Sequence, residues 1–183
     1  MSIAGYPNTQ HLISCDELSA SLGDVTLLDL RPSDDYALGH IEGARHLDIY
    51  QVSLNNSAAE PLEAFLSMFP ALFTARGVSH ERPVVIYDHE SGERASRAVW
   101  LLAVLDHPNV KLLDGGTGAW VASGRELVRV GETTPPVASD KARPAPQPFQ
   151  AGRRLEILAT RFDVARAIDD DDTVIIDVRR TSE

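Results

Sequence analysis

The chain has 183 residues, 43% of them hydrophobic, with 27 acidic against 17 basic side chains and a formal charge of -10. That length holds one full domain plus a remainder, and that composition is globular. The acidic balance excludes nucleic acid or an anionic membrane as main partner, since each requires a cationic face, but it leaves room for a small anion in a local pocket. The lone cysteine, Cys15, excludes an internal disulfide and fits a reducing compartment. Residues 1–5 lack a basic start and an apolar core, and no run reaches the length of a membrane span. The expectation is a soluble cytoplasmic protein.

Ser14 with Glu17 three residues on is a capping box, so a short helix opens there, with Leu18 and Leu22 on its apolar side and Gly23 at its end. Cys15 sits in its first turn and reads as structural, because no basic neighbour in the sequence would lower its pKa. Val25–Arg31 reads as a strand closed by Pro32, with Asp29 accepting backbone N–H bonds from the next loop and Arg31 pairing with an acidic neighbour. Asp34-Asp35-Tyr36 leads into a glycine-rich loop around Gly39 and Gly43, where His40 reads as a fixing residue rather than a metal ligand. Residues 44–49 can form a short strand, and 51–59 a polar surface loop. Pro61 suits a helix first turn, Leu62, Phe65, Leu66, Phe69, Leu72 and Phe73 form a broad apolar face, and Pro70 should split that helix.

Val84-Val85-Ile86-Tyr87 is an uninterrupted apolar run, the pattern of a buried strand. Ala95, Ala98, Val99, Leu102 and Leu105 recur at helical spacing from Gly92 onward, and Val110–Leu113 is a second apolar run. Strand, loop, helix, strand is a βαβ unit, and its loop (Asp88, His89, Glu90, Ser91, Gly92, Glu93, Arg94) lies where such folds keep their chemistry. Backbone N–H groups at the helix start invite an anion there, yet Asp88 stands first, flanked by Glu90 and Glu93, and its charge should repel one. Arg94 and Arg97 are expected to pair with Asp88, Glu90 or Glu93, and Arg94 is the residue to touch a ligand if they do not. Asp114-Gly115-Gly116 follows, and Trp120 reads as a core aromatic on a short helix ending at Gly124.

Residues 8–130 thus make a first domain and 131–154 a proline-rich linker or strap, with Pro135, Pro136, Pro144, Pro146 and Pro148. Residues 155–183 begin a copy of the start: Thr160 caps with Asp163, Val164 and Ile168 stand for Leu18 and Leu22, and Val174–Arg179 stands for the Asp29-x-Arg31 strand. One helix and one strand bury no sheet core, so the expectation is a fragment of a tandem-repeat protein.

Asp29-x-Arg31, Tyr36-x-x-x-His40-Ile41-x-Gly43-Ala44, the loop after Tyr87, and Leu113-Asp114-Gly115-Gly116 with Trp120 together resemble the rhodanese family. The likeness is to its tandem-domain thiosulfate and 3-mercaptopyruvate sulfurtransferases, and it covers most of residues 13–124. Glu42 replaces the family's usual proline before Gly43. The resemblance implies an α/β domain with a mostly parallel central sheet flanked by helices. It also implies a silent N-terminal domain, because catalytic members carry a cysteine directly after the strand, where this chain has Asp88. Asp88, Gly92, Ala95 and Arg97 follow the silent pattern. No catalytic residue, metal or cofactor is expected in this chain. The complete protein would move sulfane sulfur from an anionic donor, thiosulfate or 3-mercaptopyruvate, to a thiophilic acceptor through a cysteine in a second rhodanese domain in cis. The alternatives are a non-catalytic binding or regulatory module and, more weakly, a phosphatase on the related loop, which also needs the missing cysteine.

Overall fold

The computed structural model describes residues 9–131 and 147–177. Pro135, Pro136, Pro144, Pro146, Val178 and Arg179 of the sequence reading lie outside the described residues. In chain order the elements are β1 (Leu12–Ile13), α1 (Cys15–Ser21), β2 (Thr26–Asp29), α2 (Ser33–Leu38), β3 (Arg45–His46), α3 (Ala59–Ser67), α4 (Phe69–Ala75), β4 (Val84–Tyr87), α5 (Glu93–Val104), β5 (Val110–Leu113), α6 (Gly116–Ala122) and α7 (Arg161–Ala167). The five strands form one parallel sheet in the order β1-β5-β4-β2-β3.

β4 is central because all four of its side chains are buried, and only a strand covered on both faces can be apolar throughout. The period of two divides them. Val84 and Ile86 join Leu28, Leu66, Phe69, Phe73 and Leu102 under α3, α4 and α5. Val85 and Tyr87 join Leu18, Leu27, Leu113 and Trp120 under α1 and α6. The helix pair divides at Met68, with Pro70 in the first turn of α4, where a missing N–H costs nothing. Ser14 forms the reciprocal capping box with Glu17.

Several elements depart from the sequence reading. α2 was not foreseen: its six residues carry no helical apolar stripe, and Pro32 precedes it as N-cap. The strand expected over residues 44–49 shrinks to Arg45–His46, an edge paired only with β2. Gly23 does not stop α1 in the left-handed region but lies inside a 3-10 turn, Leu22–Asp24.

The segment read as a repeat departs further. Thr160 and Asp163 do form the same capping box as Ser14 and Glu17. Leu18 of α1 is fully buried, however, whereas its counterpart Val164 on α7 is 41% exposed and Ile168 is 69% exposed. Residues 174–177 do not form the expected strand, and Val174 and Ile176 stay 83% and 78% exposed. No described strand lies beside them to accept their N–H and C=O groups, and without a ladder an apolar run has no sheet to join.

Candidate active-site loop

The loop begins with the first residue after β4. Asp88 is buried, 4% exposed, with its carboxylate folded back over the start of α5. Oδ1 accepts from Gly92 N–H at 2.8 Å and Glu90 N–H at 3.2 Å, and Oδ2 accepts from Ala95 N–H at 3.0 Å. Gly92, the N-cap of α5, has no side chain to satisfy the first-turn amides, so Asp88 does it from four residues upstream. The Asp88 carboxylate is therefore itself the anion that the cradle holds. The helix dipole and three N–H bonds both favour a negative charge at that point.

The Asp114-Gly115-Gly116 motif clamps this loop from the next unit. Ser91 has φ 62, and its Oγ accepts from Gly115 N–H and donates to the Leu113 carbonyl, each at 2.6 Å. Thr117 N–H and Gly118 N–H, in the first turn of α6, donate to the carbonyls of Asp88 and His89, each at 3.0 Å. Asp114 N–H donates to the carbonyl of Ile13 at 3.0 Å, which ties the motif to the edge strand β1. Gly116 has φ +54, and a Cβ there would lie 2.3 Å from the Asp88 oxygen and 2.6 Å from that of His89, both backbone atoms. Gly116→Ala should therefore lower stability by more than about 2 kcal/mol, because the left-handed conformation and the contact each carry a cost. Urea unfolding of the two proteins checks this; a loss below about 0.5 kcal/mol would contradict the close approach.

The charged residues around the loop pair elsewhere than expected. Arg94 Nη1 meets Asp48 Oδ1 at 3.0 Å and its guanidinium lies 4.2 Å from the Tyr50 ring centroid. Arg97 donates to the carbonyls of Tyr50, at 2.9 Å, and Val52. Neither pairs with Asp88, Glu90 or Glu93: Asp88 is turned inward and taken up by amides, Glu93 and Arg94 are adjacent on the helix and do not face each other, and Arg97, four residues from Glu93, is taken up instead by the two carbonyls. His89 Nε2 instead reaches Asp35 Oδ2 on α2 at 3.1 Å. Asp48, Tyr50 and Asp35 are the loop partners the sequence reading missed. No local pattern links residues that lie 46 or 54 positions apart.

Beneath the loop lies a buried brace. Asp29 is fully buried and takes the Arg31 guanidinium in a fork, Nη2 to Oδ2 at 2.6 Å and Nε to Oδ1 at 3.0 Å, while its Oδ1 also accepts Arg31 N–H at 3.0 Å. Arg31 Nη2 donates onward to the Gly39 carbonyl at 2.6 Å. Burial pulls the guanidinium pKa down, but hydrogen bonds and charge from Asp29 outweigh it, and the net direction is upward. The Tyr87 hydroxyl, accepting from Ile41 N–H at 3.1 Å, is held well above the ordinary phenol range by burial and then by the Asp29 charge. Tyr36 donates to the Ala44 carbonyl at 2.9 Å and stacks on His40 at 4.0 Å between centroids, and His40 Nδ1 bonds the Tyr36 carbonyl at 3.0 Å. Gly43 turns the chain there with φ 79. Trp120 is buried and donates Nε1–H to the Glu126 carbonyl at 3.1 Å.

Cys15 belongs to none of this. It lies at the start of α1, where burial raises its thiol pKa, with Ser123 and Arg125 acting weakly the other way. Arg125 is the basic neighbour that was not visible along the sequence, and it is already paired with Asp16 at 2.6 Å.

Compared with known proteins, the chain matches the family model of the rhodanese-like domain over residues 14–123. It is 33% identical over 174 residues to a thiosulfate sulfurtransferase of Pseudomonas aeruginosa, which spans 94% of this chain and 60% of that protein. It is 37% identical over 109 residues to a thiosulfate sulfurtransferase of Azotobacter vinelandii, covering 60% of this chain and 40% of the relative. The chain thus spans 60% or less of the length of these curated relatives. In fold it superposes on SseA of Escherichia coli, described as a 3-mercaptopyruvate sulfotransferase, with a TM-score of 0.67 at 24% identity, covering 87% of this chain and 63% of that one.

Proposed function

The chain belongs to the rhodanese family, and from that premise we propose that residues 8–130 are a catalytically silent rhodanese unit. It would belong to a two-domain sulfurtransferase whose sulfur-carrying cysteine is in another domain of the same polypeptide. Residues 131–154 would be the connection and 155–183 the start of that second domain. The observation that carries the reading is the Asp88 carboxylate seated on the amides of Glu90, Gly92 and Ala95.

Sulfur relay needs a thiolate. It attacks the sulfane sulfur of the donor, the donor's own bond to that sulfur breaks, and sulfite (from thiosulfate) or the enolate of pyruvate (from 3-mercaptopyruvate) departs with the electron pair. The resulting persulfide then yields its outer sulfur to a thiophilic acceptor, and the thiolate returns. N–H donors stabilise each anionic stage. A carboxylate forms no S–S bond, and at Asp88 those donors are already occupied. In the proposal the first unit contributes packing and an interface, and the donor and acceptor bind elsewhere. The second capping box at Thr160 and Asp163 supports the tandem arrangement, as does the match to the Pseudomonas aeruginosa relative across both segments. A cytoplasmic setting belongs to the same proposal, supported by the single cysteine. Among the described residues no helix is long and apolar enough to cross a membrane.

Thiosulfate:cyanide sulfurtransfer by this chain and by the complete gene product tests the proposal. The chain should release no thiocyanate above background, and the complete product should turn over. Turnover by the chain alone, or a persulfide trapped on Cys15, would overturn the silent assignment. An inactive complete product would favour the binding-module reading instead.

A further inference from the structure

Residues 147–158 lie as a strap along the domain beside α3, α4 and α5, and one side chain of it is buried: Phe149, 3% exposed. Its ring is enclosed by Phe73 at 6.3 Å, His107 at 5.6 Å and His80 at 4.9 Å between centroids. The two imidazoles are themselves stacked, 5.7 Å apart and 11° from parallel. Backbone bonds hold the strap on either side of the ring: Phe149 N–H to Thr74 Oγ1 at 3.0 Å, Gly152 N–H to the Leu105 carbonyl at 3.0 Å, and Arg154 N–H to the Val104 carbonyl at 2.7 Å.

The histidines are wired unequally. His107 is 6% exposed, and its Nε2 must carry the proton, because it faces the Ser79 carbonyl at 3.0 Å. Its Nδ1 must be bare, because it accepts Asn109 N–H at 3.2 Å. A second proton on that ring would oppose the Asn109 N–H and place an unpaired cation beneath Phe149. His80 is exposed and gives its Nε2 proton to the Gln150 carbonyl at 2.5 Å, a bond that survives its own protonation.

We propose that the His80–His107 stack is an acid-sensitive latch that holds the Phe149 strap on the domain and releases it as pH falls, with His107 as the sensing group. Burial, and less so the neighbouring His80, hold the His107 pKa below its ordinary value, while the Ser79 and Asn109 bonds act against them. Other charged groups in reach do not reverse this. Asp106 on its own turn and Glu81 beside His80 are exposed, Arg82 donates to the Gly23 carbonyl at 2.5 Å, and Arg153 of the strap pairs with Glu63 at 2.7 Å. With the strap lifted, His107 is solvated and takes up a proton near the ordinary value of about 6.5. The open form therefore binds more protons than the closed one, so the latch is full above about pH 6.5 and weakens as pH falls toward the lower closed-state value.

Amide hydrogen exchange on the whole chain, corrected for intrinsic rates, tests this. From pH 7 to 5 the opening equilibrium at Phe149, Gly152 and Arg154 should rise by up to about tenfold per pH unit, while the β4 amides keep their protection. In His107→Gln the acid response should vanish, and in His80→Gln it should persist. Strap protection that does not change with pH would overturn the latch. So would an acid response retained in a folded His107→Gln variant, or one lost in His80→Gln. Should His107→Gln fail to fold, an NMR titration of His107 in the unaltered chain decides: a midpoint at or above about 6.5 would overturn the assignment.

Discussion

Arg31→Ala should destabilise the domain by about 3–5 kcal/mol, the cost of leaving a buried carboxylate without its partner. Asp29 is fully buried and the Arg31 side chain is 5% exposed, so neither charge has solvent to fall back on. The geometry is a fork rather than a single contact, and the arginine also holds the Gly39 carbonyl at the end of α2. Its loss therefore uncouples β2 from the loop that carries His40 and Ile41. Arg31→Lys keeps the charge but not the planar fork and should fall between the two. The double exchange Asp29→Ala with Arg31→Ala should be less damaging than Arg31→Ala alone, because it removes the orphaned charge along with its partner. Urea denaturation of the four proteins reads this order directly. A loss below about 1 kcal/mol for Arg31→Ala would mean that water reaches Asp29.

These residues also mark how far the sequence could be read. An acidic neighbour for Arg31 was legible along the chain, though not that it is Asp29 two residues back, and the loop at Asp88 was legible because an unbroken apolar strand precedes it and a periodic helix follows. Capping at Ser14 and the division at Pro70 were legible for the same reason: the chemistry that decides them is local. What escaped depends on distance along the chain. Arg94 finds Asp48 and Tyr50, His89 finds Asp35, and Phe149 finds two histidines in segments around 80 and 107, none of which any periodicity encodes. α2 escaped because six residues are too few to show a stripe. The strand expected at Val174–Asp177 illustrates the converse. Its pattern is that of β2, but a pattern specifies a strand only where neighbours complete the ladder. The seat of Asp88 was legible only in part: a charge beside the helix start can be read along the chain, but not that its carboxylate turns inward onto three amides while the flanking glutamates stay exposed and solvent-screened.

That contrast sets the second large effect. In a Cys15→Ser background, Asp88→Cys places one thiol at the mouth of the same three amides. Short-range N–H bonds to an anion outweigh two screened carboxylates, so the thiol should ionise below the ordinary cysteine value of about 8.5 and alkylate faster than a free thiol at neutral pH. The pH dependence of iodoacetamide labelling measures its midpoint. Asp88→Ala, by contrast, leaves the amides facing a methyl group, and the buried Ala95 N–H loses its acceptor. That variant should lose about 1–3 kcal/mol of stability with no compensating charge. Asp88→Asn keeps an oxygen for Gly92 and Glu90 but turns an NH2 group toward Ala95 N–H, so it should resemble Asp88→Ala more than the parent. A labelling midpoint at or above about 8.5 in a folded Asp88→Cys variant would show that the amides are tuned to the shape of the carboxylate and not to negative charge as such. A lowered midpoint would leave the side chain itself, rather than the cradle around it, as the reason for the silence proposed for this unit.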